Sequence, residues 1–294
     1  SPSPTLTPTK APVPMPTSDP PGAPSVATHI LIIMEENQGY DATQTNCVTQ
    51  NAYFCQLASA YTSVTSWYGV THPSLPNYLA ITSGSTQGCG SDSCGSYAAS
   101  NLGQQLSTAK IPWMAYMESM PVACDSNDAG EYANKHNPFT HYFDLAGAVC
   151  QAHDVPYPGS AALVSALDRP GAPDFVWITP NLIHDMHDGT VADGDIWLQA
   201  NLSPILASPW FTNYHSTVIV TEDEDSGSGL SCCGDAAGGQ IPELVISRNA
   251  AGKRMVALTG DHYGTLRTIE EAFGLPLLAA AAQSRNGDLS PYFG

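Results

Sequence analysis

The stretch His29-Ile30-Leu31-Ile32-Ile33-Met34-Glu35-Glu36-Asn37 decides how the chain is read. From His29 to Met34 it is a short, continuous, β-branched apolar run, the pattern of a strand buried on both faces. Three polar residues follow at once, so charge is delivered to the end of a buried element. Runs of the same kind recur at residues 111–117, 174–179, 217–221 and 243–247. Helix-like stretches lie among them at 75–82, 101–108, 160–167, 193–206 and 264–273. Strands alternating with helices predict an α/β domain built on a mainly parallel sheet. In such sheets ligands bind beyond the carboxyl ends of the strands, and several polar clusters of this chain directly follow an apolar run.

Composition narrows the function. Of 294 residues 43% are hydrophobic, enough for a sizeable core, and only 12% are charged. With 9 Lys+Arg against 27 Asp+Glu the net charge is -18, which repels nucleic-acid backbones and anionic lipid surfaces. A phosphate-bearing substrate would need a local cation to hold it. No apolar run approaches the ~18 residues of a membrane span, so no integral membrane association is expected. Residues 1–26 hold nine of the 24 prolines and read as a Pro-rich disordered linker, with one domain over residues 27–294. That opening and the even set of eight cysteines suit a secreted or cell-surface chain with disulfides. Cys89–Cys94 and Cys124–Cys150 are expected as local pairs, while Cys232 and Cys233 pair with each other or elsewhere.

Five polar clusters could carry chemistry: 35–41, 71–78, 134–139, 181–188 and 221–225, with Asp261-His262-Tyr263 as a sixth element. Carboxylates, amide oxygens and imidazoles in several strand-end loops could converge on one or two divalent cations. An isolated acidic cluster is more often a solvated loop. Asp223-Glu224 is the stronger case, because charge immediately after a buried strand is costly without compensation. Ser74 stands at the start of a helix whose first turn tolerates Pro76, where free N–H groups favour an anion; an ordinary helix cap is the plain alternative. The chain has no G-x-S-x-G elbow, which disfavours an α/β-hydrolase triad. Lys135, one of nine basic residues, lies beside His136 and Asn137 in a step suited to holding phosphate.

Together these pieces resemble the secreted phosphoesterase family of bacterial acid phosphatases and non-haemolytic phospholipases C, related to the alkaline phosphatase superfamily. The matching residues are Met34-Glu35-Glu36-Asn37 with Asp41, His72-Pro73-Ser74-Leu75-Pro76-Asn77-Tyr78, Lys135-His136-Asn137-Pro138-Phe139, Pro180-Asn181-Leu182 with Asp185-Met186-His187-Asp188, Asp223-Glu224, and His262-Tyr263. The resemblance implies a three-layer α/β sandwich with a mainly parallel sheet. It places Ser74 as nucleophile through a phosphoseryl intermediate, with Lys135 and His136 orienting the phosphoryl group and Asn77, Asn137 and His187 contacting substrate. Glu36, Asn37, Asp223 and Glu224 would hold a divalent metal, with Asp185 and His262 as further ligands. Oxygen donors favour Mg, Ca or Mn, and the imidazoles pull toward Zn. Gln38 and His184 depart from the family pattern. Phospholipase C members are longer, which favours phosphomonoesters or small soluble diesters. The expected protein is thus a monomeric, metal-dependent acid-phosphatase-type enzyme acting on a small phosphate ester. Its rivals are a phospholipase C-type phosphodiesterase and a non-catalytic, metal-stabilised binding module.

Overall fold

The computed structural model describes residues 28–45, 47–248 and 255–293; the Pro-rich segment 1–26 lies outside them. Eight strands form one sheet: β1 (Thr28–Glu35), β2 (Thr62–Tyr68), β3 (Trp113–Met117), β4 (Asp154–Pro156), β5 (Phe175–Thr179), β6 (His215–Glu222), β7 (Gln240–Ser247) and β8 (Met255–Asp261). Their order is β4-β3-β5-β1-β6-β7-β2-β8. All neighbours pair in parallel except at β7, which runs antiparallel to both β6 and β2. The expected mainly parallel α/β sheet is therefore present, with one reversed strand inside it.

Helices cover both faces. They are α1 (Tyr40–Gln44), α2 (Ala52–Ala60), α3 (Ser74–Ser83), α4 (Leu102–Ala109), α5 (Ala148–His153), α6 (Ser160–Leu167), α7 (Val191–Ala207), α8 (Pro209–Thr212) and α9 (His262–Phe273). The period-2 alternation of a strand divides β1 between two cores. Ile30, Ile32 and Met34 pack with Leu75, Tyr78 and Leu79 of α3 and Leu266 and Ile269 of α9. Leu31 and Ile33 pack with Tyr53 and Leu57 of α2 and Leu198 and Leu202 of α7. The result is three layers, helix–sheet–helix, as expected.

Strands β2, β4 and β8 lie outside the apolar runs. Thr62–Tyr68 mixes hydroxyls with Val64 and Trp67, and alternate residues of β8 are exposed up to Gly260, so neither makes a continuous apolar run. The four disulfides are Cys47–Cys55, Cys89–Cys94, Cys124–Cys150 and Cys232–Cys233. Both expected local pairs form, and the adjacent cysteines join each other. No helix among the described residues is long and apolar enough to cross a membrane.

Candidate active site

The carboxyl ends of the strands deliver the polar residues to one region. Glu36 follows β1, Asp223 and Glu224 follow β6, Asp185 and His187 lie in the loop after β5, Ser74 opens α3 shortly after β2, and His262 opens α9 directly after β8. Ser74 and Tyr78, four residues apart, share one face of α3 and donate to the same carboxylate. Ser74 Oγ lies 3.1 Å from Glu36 Oε2 and the Tyr78 hydroxyl 2.6 Å from Glu36 Oε1. Ser74 makes no side-chain cap of its own helix and is buried, 2% exposed. The plain capping role is thus absent.

Asn37 adopts φ 62°, a left-handed conformation that Asn tolerates better than most side chains. Its N–H donates to Asp223 Oδ1 at 3.1 Å, which also accepts the Glu224 N–H at 2.7 Å. The other oxygen, Asp223 Oδ2, is buried without a partner. Glu224 Oε2 lies 3.0 Å from His72 Nδ1 and accepts from Asn77 Nδ2 at 3.0 Å. The Asn77 carbonyl oxygen accepts the N–H groups of Val70 and Thr71 at 2.9 Å each. Asn77, expected as a substrate contact, ties the turn before Ser74 to Glu224.

His136 stands beside this group. Its Nδ1 lies 3.1 Å from Asp185 Oδ2. Its Nε2 is 3.2 Å from Glu36 Oε1 but poorly aligned, so that nitrogen has no hydrogen bond. An Nδ1–H donated to Asp185 leaves the Nε2 lone pair facing Glu36. Asp185 Oδ1 accepts the His187 N–H at 2.8 Å. Asp185, expected as a metal ligand, thus has both oxygens in contact with protein groups. Lys135 Nζ reaches His187 Nε2 at 2.9 Å and Asp92 Oδ2 at 3.1 Å. His187 Nδ1 lies 2.7 Å from Asp188 Oδ1, a pattern matching a neutral ring that donates to Asp188 and accepts from Lys135.

Asn137, expected as a substrate contact, and His262, expected as a metal ligand, are held as follows. Asn137 Nδ2 donates to Asp154 Oδ2 at 2.8 Å and to the Tyr132 hydroxyl at 3.0 Å, and its carbonyl oxygen caps the following turn at Phe139. It braces the His136 segment from within and is fully buried. His262 Nε2 lies 2.5 Å from the Asp223 main-chain oxygen, and its Nδ1 has no partner. It therefore backs the Asp223 turn.

Burial dominates the electrostatics. It pushes the Glu36 carboxyl well above the usual range, helped by Asp223 and Asp185. Asp223 rises likewise through burial and then Glu224. Asp185 and Glu224 rise for the same first reason. Burial, then Lys135 and His187, holds His136 well below the usual imidazole value, and burial lowers His262 to about 4. Carboxyls placed so closely gain from a cation that replaces their protons. The ligand atoms of Glu36, His136 and His187 all lie within 4.8 Å of one another. With the unpartnered Asp223 Oδ2 and His136 Nε2, these donors fit a divalent cation.

A cavity of about 510 Å³, lined by Asp92, Ser126, Asp128, Asn134, Lys135 and His141 among others, adjoins the site through Asp92 and Lys135. Another of about 520 Å³ opens at the start of β1, around His29, Asp174 and Trp210, far along the strand from Glu36.

A profile of the phosphoesterase family matches residues 47–276. The chain belongs to the phosphoesterase family. This phosphoesterase is a hydrolase acting on phosphate esters, and its relatives bear matching names. It is 32% identical over 251 residues to a phosphatidylinositol-3-phosphatase of Mycobacterium tuberculosis, covering 84% of this chain and 77% of that one. It is 27% identical to an acid phosphatase of Aspergillus fumigatus and 26% to a phosphate-repressible acid phosphatase of Penicillium chrysogenum, over 76% of this chain in each case. The chain spans about half the length of these fungal relatives, 50% and 54%. Among solved structures, an alkaline phosphatase superfamily protein from Vibrio parahaemolyticus aligns with 97% of this chain and 76% of its own, at TM-score 0.55 and 13% identity. The lipoteichoic acid synthase LtaP of Listeria monocytogenes aligns with 90% of this chain and 77% of its own, at TM-score 0.59 and 10% identity. These establish the shared fold.

Asp92 was not among the expected site residues of this phosphoesterase. Its Oδ1 accepts the Leu75 N–H at the start of α3 at 3.0 Å while Oδ2 holds Lys135. The one signal for it in the sequence is its place between Cys89 and Cys94, whose disulfide closes the loop that carries it.

Proposed function

We propose that this chain is a metal-dependent phosphomonoesterase with Ser74 as its nucleophile. The observation that carries the reading is the Ser74 hydroxyl, held against Glu36 at the N-terminus of α3 with His136 and Asp223 around the same carboxylate. Glu36 Oε2 stands as an acceptor for the Ser74 proton. Ser74 Oγ then forms the bond to phosphorus as the bond to the leaving alcohol breaks, giving a phosphoserine. Water next attacks phosphorus and the serine oxygen departs, recovering its proton. Lys135, kept beside His187 and Asp92, supplies positive charge for the phosphoryl oxygens, and His136, oriented by Asp185, offers Nε2 to a proton. Glu36, Asn37, Asp223 and Glu224 are the residues that would hold the metal, with His136 as a nitrogen donor nearby. When bound, a divalent cation supplies charge neutralisation and lowers the pKa of a coordinated hydroxyl.

The adjoining cavity is lined by carboxylates, hydroxyls and amides, which supports a hydrophilic leaving group. The mycobacterial relative, named for removing a phosphate monoester from an inositol headgroup, supports monoesters over diesters. Secretion fits the four disulfides. The test is hydrolysis of p-nitrophenyl phosphate before chelation, after it, and after adding back single cations, with Ser74→Ala in parallel. Activity should vanish with chelator, return with a cation, and fall at least about 10³-fold in the variant. A Ser74→Ala enzyme with near-normal turnover would refute the nucleophile.

A further inference from the structure

A second set of carboxylates lies on the opposite face of the sheet from Glu36. Glu35 continues the side of β1 that carries Leu31 and Ile33, and Glu222 continues the side of β6 that carries Val218 and Val220, all four apolar residues belonging to the α2–α7 core. The two acids are in register on neighbouring parallel strands, which are about 4.8 Å apart, so their side chains stand side by side. Both are 0% exposed. Neither oxygen of Glu35 has a partner, and neither has Glu222 Oε1; only Glu222 Oε2 accepts a hydrogen bond, from the Gln38 N–H at 3.3 Å. The fields that reach Glu35 come from Asp185 and Glu118, and those at Glu222 from Glu35, Asp223 and Asp185, all of the same sign. Glu118 itself is satisfied, by Asn181, His184 and Trp197.

Leaving such groups bare in a core is costly. A single proton shared between the two would satisfy at most two of the three unpartnered oxygens and leave the third bare. We propose that Glu35 and Glu222 bind a structural divalent cation of the hard, oxygen-preferring class, Ca²⁺ or Mg²⁺, behind the catalytic site. Three free carboxylate oxygens, hard donors, point to that class. Such ions fill the rest of their shell with carbonyl oxygen and water. The ion would clamp the ends of β1 and β6, the strands that present Glu36 and Asp223 on the other face.

The test counts bound metal on the full chain after Ca²⁺ or Mg²⁺ loading and gel filtration, in wild type, Glu35→Gln/Glu222→Gln and Glu36→Gln. The double variant should carry one equivalent fewer than wild type. A hundredfold excess of Ca²⁺ over its dissociation constant should raise Tm by about 5 °C or more in Glu36→Gln, and should raise it less in the double variant than in wild type. Equal stoichiometry and equal Tm response in wild type and double variant would overturn the proposal. Should that variant fail to fold, wild-type crystals grown with Mn²⁺ decide: an anomalous peak between Glu35 and Glu222 is expected, and its absence overturns the site. Neither readout depends on turnover, so the result stands apart from the role of Ser74.

Discussion

The Ser74 hydroxyl donates to Glu36, and that carboxylate is shared with Tyr78 and crowded by His136. The Ser74 hydroxyl is therefore set among side chains from α3, the β1 end and the His136 turn at once. His136 in turn depends on Asp185, which fixes its Nδ1. Asp185→Asn should lower kcat about 10–100-fold with little change in KM, because the imidazole loses its orientation while Lys135 stays on Asp92. Steady-state kinetics with circular dichroism checks this; a kcat within twofold of wild type would contradict the positioning role. Much of this centre was legible in the residues themselves. Ser74 announced its helix start through Pro76, and Asp223-Glu224 through the buried run before them. The role of Asp185 was not, because residue type does not reveal that both oxygens are consumed by His136 and the His187 N–H.

Among elements, α3 matters most, since its first turn carries Ser74 and its N–H at Leu75 is taken by Asp92. Asp92 also holds Lys135, so the loop closed by Cys89–Cys94 couples the helix start to Lys135. Cys89→Ser/Cys94→Ser should let that loop wander and raise KM for a phosphomonoester about tenfold, roughly the loss of one charge-assisted interaction. Saturation kinetics with and without reductant on wild type is the companion measurement, and an unchanged KM in both would show that the disulfide does not hold Asp92 in place. Such long-range links escape sequence reading: Asp92 and Lys135 are 43 residues apart, and nothing periodic marks the Gly-, Ser- and Cys-rich loop. The direction of β7 was equally hidden, because a buried apolar run looks the same whichever way it points. The closeness of Glu35 and Glu222 follows only from the pairing of β1 with β6.

Over the whole molecule, charge is sparse but acids are buried in number. Glu243, inside β7 and away from the strand-end cluster, has its carboxyl pushed up to about 8 by burial. Its folded value lies above its unfolded one, so the native state holds more protons between about pH 4.5 and 8. That contribution to stability is full below about pH 4.5 and is lost as pH rises through 8. Glu243→Gln should therefore be more stable than wild type at pH 8, by about 2 kcal/mol, with the difference shrinking toward pH 5. Denaturant unfolding at the two pH values checks it, and a pH-independent difference would contradict it. The -18 net charge acts at the same scale: an anion reaches this protein against its field, and in the proposed function Lys135 and a divalent cation would supply the attraction locally.

The central claim is that turnover passes through a phosphoserine at Ser74. The most direct measurement is to mix the metal-loaded enzyme with a ³²P-labelled phosphomonoester, quench in acid within a turnover, and map the label by peptide sequencing. The account predicts acid-stable label on the peptide containing Ser74, lost in Ser74→Ala. Full hydrolysis with no protein-bound label, or label on another residue, would contradict it.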